Sequence, residues 1–79
     1  MRNTNALQIA RLWDAGEAGC GALIIGLKRE IGQIEAGELL RVTALDTAAP
    51  IDLAAWCHMT GHMLVAEHHP TYILKRKND

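Results

Sequence analysis

The sequence predicts an α/β fold, a two-layer sandwich in which one four-stranded sheet carries two helices on a single face. Alternating stretches stand at 7–13, 39–45, 62–67 and 71–77, and two segments of helical periodicity separate the first three. Apolar residues make up 49% of the chain and charged ones 22%, which suits a packed core rather than a disordered segment. With 79 residues the chain is expected to form one domain, 1–79, near the size at which a single core only just suffices.

Residues 1–5 are polar and expected to be disordered. In the first strand Leu7, Ile9 and Trp13 fall on odd positions, with Arg11 the exception; Ala10 and Leu12 take the other face, and Asp14 ends the run. The first helix is expected from about Ala22 to Ala36, because Ile24, Leu27, Ile31 and Ile34 recur on one face. Gly37 then stands at the stop position. Gly26 and Gly32 interrupt this helix, each at about 1 kcal/mol against alanine, and close packing on the sheet is one account of them.

The second strand, Leu39 to Leu45, places Leu40, Val42 and Ala44 on one face. Pro50 opens the second helix, in which Leu53, Trp56, Cys57 and Thr60 share the core side, and Gly61 closes it. His62 to Glu67 and Thr71 to Lys77 are the last two strands, joined by a hairpin through His68, His69 and Pro70.

A formal net charge of −1 argues against direct nucleic-acid binding, which needs a concentrated basic surface. The run Lys75, Arg76, Lys77 reads as a solvated strand end. No stretch approaches the roughly 18 apolar residues of a membrane span. The first residues lack the apolar core of a signal peptide, so the expected location is the cytoplasm, where Cys20 and Cys57 stay free thiols.

Cys20 follows a loop carrying Gly16 and Gly19 and stands where a helix begins. There the backbone N–H groups of the first turn lack helical partners, and the positive end of the macrodipole favours an anion. Cysteines so placed reach pKa values of roughly 3.5–7.5 against about 8.5 when free. Two readings stay open from local sequence, a reactive thiol and a small apolar filler behind the first turn. For Cys57 the core reading is preferred.

Other chemistries find less support. His58 and His62 are four apart, but Gly61 intervenes and no further ligand completes a metal site, so no metal and no cofactor is expected. Nothing places a histidine beside Cys20 as a base, and the run Gly16 to Gly21 lacks the lysine and hydroxyl of a phosphate loop. His68 and His69 are read as turn residues, and Asp14 as an acceptor for loop amides. A scaffold this small has little room for an enclosed substrate pocket, so a lone thiol here suits handing atoms between proteins.

From Leu12 to Lys77 the chain resembles the TusA/SirA-type sulfur-carrier family. The resemblance lies in Asp14 six residues before Cys20 and in the run A-G-E-L-L-R-V-T-A-L-D from Ala36 to Asp46. It continues through Asp52, Leu53, Trp56, Gly61 and His62 to the closing strand Tyr72 to Lys77. It implies a βαβαββ sandwich with a mixed sheet, and a Cys20 that takes up sulfane sulfur as a persulfide. Donors would be cysteine desulfurases or rhodanese-type proteins. Acceptors would belong to tRNA thiolation, sulfur oxidation or cofactor assembly.

Asp14, Gly19, Gly21 and Ala22 would support the thiol in that role, and Lys28 or Arg29 would help partner docking. The chain departs from the family's Cys-Pro-x-Pro signature, with Gly21 and Leu23 in place of both prolines. A looser helix start is the expectation, because proline fixes φ and glycine frees it. Glu17 stands where the family has glycine, and an inward carboxylate there would work against a sulfur anion. The alternative is a binding or regulatory module of the same fold that has lost sulfur transfer. A thiol redox sensor is a third reading, and it needs Cys57 at the surface as the resolving thiol.

Overall fold

A computed structural model of the chain describes residues 8–78. The elements are β1 (Ile9–Gly16), α1 (Cys20–Ile31), β2 (Leu39–Ala44), α2 (Ala49–Thr60), β3 (Met63–His68) and β4 (Thr71–Lys75). They form one four-stranded sheet in the order β1-β2-β4-β3, with β1 parallel to β2 and the other neighbours antiparallel. The sheet is therefore mixed, and the predicted α/β order holds. Leu7 and the polar residues 1–5 lie outside the described residues.

Alternation along the strands sets the two sides of the sheet. Leu40, Val42 and Ala44 of β2, with Tyr72 and Leu74 of β4, are fully buried against Leu23, Leu27 and Ile31 of α1 and Leu53, Trp56 and Cys57 of α2. Both helices thus cover the same face.

Several boundaries differ from the sequence reading. β1 runs past Asp14 to Gly16, because the Asp14 carboxylate turns back onto the Gly16 amide (2.8 Å) and leaves its backbone in register with Thr43. α1 starts at Cys20 and stops at Ile31, with Gly32 as its cap, five residues short of Ala36. Ile34 is still buried, but it reaches the core from a turn rather than from the helix. Gly37 instead takes φ +84° in the turn leading into β2. β4 ends at Lys75, and the Arg76 guanidinium donates to the carbonyls of Ile34 (2.5 Å) and Ile31 (3.4 Å). Arg76 is thus a cap on the end of α1, not a solvated tail residue.

α2 matches its reading closely. Pro50 lies in its first turn, Leu53, Trp56 and Cys57 are buried, and Gly61 closes it in the left-handed region at φ +89°. The β3–β4 hairpin turns through His69 and Pro70.

The odd charge in β1 also finds its reason. Arg11 lies on the helix side and its Nε donates to Glu30 of α1 at 2.6 Å, while Arg29 donates to the other carboxylate oxygen at 3.0 Å. The Arg29 guanidinium stands 5.7 Å from the centroid of the Trp13 ring, and the backbone of Gly26 leaves the space the ring occupies. Trp13, Arg29, Glu30 and Arg11 together clamp α1 onto β1. Gly26 is the close-packing glycine, whereas Gly32 is simply the helix end.

Candidate functional site

β1 and β2 run parallel and each leads into a helix, so the first turns of α1 and α2 lie at one end of the molecule. The β3–β4 turn joins them there. Backbone bonds tie these loops together, Leu45 N–H to the Gly16 carbonyl (2.9 Å) and Ala44 N–H to the Pro70 carbonyl (2.9 Å). This end presents Cys20, with Leu45 and Ile51 exposed (46% and 75%) on the neighbouring loop and on the first turn of α2.

Cys20 is the first residue of α1, exposed, with Gly19 as an extended cap that offers no side-chain acceptor. The helical ladder begins with Leu23 N–H donating to the Gly19 carbonyl at 2.8 Å. The amides of Cys20, Gly21 and Ala22 precede it and have no helical carbonyl to meet. Gly19 and Gly21 flank the thiol, and nothing lies within 4 Å of where a Cβ would stand on either. The thiol is therefore exposed at the start of α1, with open space beside both flanking glycines.

Other sequence-singled residues fall as follows. Asp14 shapes the loop through its bond to Gly16, which itself sits at φ +58°. Glu17 is exposed. Lys28 is exposed, and Arg29 is engaged in the clamp on Glu30 and Trp13.

Leu23 is fully buried, so the first turn of α1 is pinned by core packing where the family carries its second proline. The expectation of a looser helix start therefore does not extend to Leu23. Sequence periodicity missed this anchor because Ile24 was read onto the core face; Leu23, Leu27 and Ile31 are the i, i+4, i+8 set that signals it.

The histidines do not assemble. His62 stacks on Trp56 with ring centroids 5.1 Å apart, and its Nδ1 accepts the Lys77 amide at 3.0 Å, while His58 is exposed on α2. His69 bonds through Nδ1 to the Tyr72 hydroxyl at 2.5 Å, so it is a partner of a buried tyrosine and not a plain turn residue. Among the described residues no three His, Cys, Asp or Glu side chains group as metal ligands. No helix among them is long and apolar enough to cross a membrane.

Cys57 is buried, and desolvation pushes its thiol up from 9.0 to about 11. The redox-sensor reading needed this thiol at the surface, and burial removes it. Iodoacetamide at mildly alkaline pH is expected to alkylate Cys20 in the folded protein and to spare Cys57 until denaturant is added. Peptide mass mapping checks this, and equal labelling of both would contradict it. Because the folded pKa of Cys57 lies above the unfolded value, its contribution to stability is complete below about pH 8.5 and is lost as pH rises through about 11.

No family model matches the chain. Curated relatives do, and three of them, each named "Putative sulfur carrier protein", are as follows. YrkI of Bacillus subtilis (strain 168) is 34% identical over 65 residues, which cover 82% of this chain and 87% of YrkI. NMA0882 of Neisseria meningitidis serogroup A is 39% identical over 46 residues, 58% of this chain and 62% of that protein. YrkF of B. subtilis is 37% identical over 49 residues, 62% of this chain and 26% of that protein. The match thus spans under two thirds of the Neisseria protein and about a quarter of YrkF. The chain belongs to the TusA/SirA-type sulfur-carrier family.

Proposed function

We propose that the protein carries sulfane sulfur as a persulfide on Cys20 and passes it between a donor and an acceptor protein. The observation that carries this reading is an exposed thiol at the first position of α1, flanked by two glycines, in a turn whose amides have no helical acceptor. The names of the relatives support it.

In the loading step the Cys20 thiolate attacks the terminal sulfur of a donor persulfide, R–S–SH. The donor S–S bond breaks, the donor leaves as a thiolate, and a new S–S bond forms on Cys20. The proton released by Cys20 on ionisation balances the one the departing thiolate takes up. One sulfane sulfur changes hands, with no outside oxidant or reductant. Unloading is the same exchange with an acceptor thiolate as attacker.

A helix start suits both halves, because its free backbone N–H groups can donate to a sulfur anion as partners approach without offering a competing proton acceptor. Cysteine desulfurases or rhodanese-type proteins are the proposed donors. Lys28 remains available for docking, and Arg29 only in so far as its clamp permits. We place the protein in the cytoplasm, where such thiols stay reduced.

Incubation with a cysteine desulfurase and cysteine, or with thiosulfate and a rhodanese, is expected to add the mass of one sulfur atom to the intact protein. In Cys20→Ser the gain should vanish. A persistent gain in that variant, or none in the wild type, would contradict the reading and favour a binding or regulatory module of the same fold.

A further inference from the structure

Among the described residues the face of the sheet turned away from the helices bears no second layer. Register partners share a face. Because Leu40, Val42, Tyr72 and Leu74 point into the core, Leu39, Arg41, Ile73 and Lys75 point outward. Two rows cross this surface. One runs Leu12, Arg41, Ile73 through the β1–β2 and β2–β4 pairs; the other runs Leu39, Lys75, Met63 through β2–β4 and β3–β4. Each row is a cation between two apolar side chains. Leu12 and Met63 are 68% and 58% exposed, and Leu39 and Ile73 are half-buried.

Neither cation has an ion-pair partner among the described residues. The ion pairs among the described residues both end on Glu30, on the opposite side of the sheet. The nearest acid on the outer face is Asp14, one row away, and its carboxylate is turned to the Gly16 amide. Beside Arg41 a shallow hollow of about 300 Å³ is lined by Leu12, Trp13, Asp14, Arg41 and Thr43.

We infer that this outer face docks a protein segment that is apolar at its centre and acidic along its borders, separately from the thiol at the sheet's end. Charge decides the occupant. A second copy laid face to face would set Arg41 and Lys75 against their own kind, which is unfavourable. An anionic membrane would need more cations than two, since polybasic anchoring uses clusters of roughly 4–8. Leu39 and Ile73 form one diagonal of this patch with Arg41 on one side and Lys75 on the other, so an apolar stripe laid along it and bordered by glutamates or aspartates covers both and pairs each cation, with Leu12 and Met63 at its margins. Held by its sheet, the chain would leave Cys20 open to another protein.

The test uses the full chain, labelled with ¹⁵N, and a synthetic amphipathic helix with leucines on one face and glutamates along both borders. Amide shifts are expected to saturate and to map to Leu12, Leu39, Arg41, Met63, Ile73 and Lys75. Affinity should fall about tenfold in Arg41→Glu/Lys75→Glu, and comparably in Leu12→Ser/Met63→Ser, with both variants checked for native spectra. A twin peptide with lysines in place of glutamates should not bind.

Shifts confined to the helices, equal binding of the lysine twin, or no binding at all would overturn the inference. So would tight binding to phosphatidylserine vesicles without binding of the acidic peptide, which would point to a membrane instead. Cys20→Ser should bind the peptide like the wild type, so a failure here and a failure of sulfur loading are told apart.

Discussion

Gly26→Ala is expected to lower stability by about 3 kcal/mol, although alanine for glycine inside a helix ordinarily adds up to about 1 kcal/mol. The reason is steric. A Cβ at Gly26 would stand 2.2 Å from Cη2 and 2.3 Å from Cζ2 of Trp13, and an indole ring cannot yield as a flexible chain does. The ring is also held on its other contacts, with the Arg29 guanidinium 5.7 Å from its centroid. For a domain of this size the loss corresponds to roughly 10–20 °C in Tm. The same substitution in a Trp13→Leu background should be neutral or stabilising, because the obstructing ring is gone and only helix propensity remains. A thermal-melt double-mutant cycle measures this reversal. A raised Tm for Gly26→Ala alone would contradict the packing of α1 on β1.

Arg11→Ala is expected to cost about 3 kcal/mol, near the lower end for stripping one partner from a buried carboxylate, since Arg29 keeps its bond to Glu30. Glu30 is 6% exposed and its pKa lies below the ordinary carboxylate value, held down first by the Arg11 hydrogen bond against the opposing effect of burial. A lowered folded pKa means that the stabilisation is present above the unfolded value, about 4.3, and is lost as pH falls through the folded one. In Arg11→Ala the desolvation remains while the chief opposing contact is gone. Acid unfolding should therefore begin at a higher pH than in the wild type. Arg11→Leu/Glu30→Leu should recover most of the lost stability, because an apolar pair replaces charges that had to be desolvated. Urea titrations across pH 3–7 would check both statements, and an unchanged acid limb in Arg11→Ala would contradict the assigned role.

Glu30 also shows where sequence reading stops. Its partner Arg11 is 19 positions away, and nothing local marks a glutamate on a helix as buried. The only trace was Arg11 itself, a charge on the otherwise apolar odd positions of β1. Local signals did reach far elsewhere. Alternation in β2 located Leu40, Val42 and Ala44, and the i, i+3, i+4 set in α2 located Leu53, Trp56 and Cys57, all of them buried. Gly61 was legible as a stop because its left-handed φ is a local demand. The end of α1 was not, since Ile34 extended the periodicity from a turn and Arg76, 42 residues away, caps the carbonyls there.

The site divides the same way. Cys20 at a helix start was legible because a glycine-rich loop, a cysteine and a helical period follow one another in the chain. That Leu23 anchors the turn carrying it, and that the loops around it are joined through Gly16 with Leu45 and through Ala44 with Pro70, depends on strands brought together by the fold.

Peptide-level mass spectrometry of the sulfur-loaded protein, alkylated and digested under non-reducing conditions, is the most direct measurement of what Cys20 does. The added sulfur should be found on the peptide containing Cys20, and it should disappear when a small acceptor thiol is supplied in excess. Sulfur on the Cys57 peptide, or sulfur on Cys20 that no thiol can remove, would contradict a carrier that loads and unloads at the start of α1.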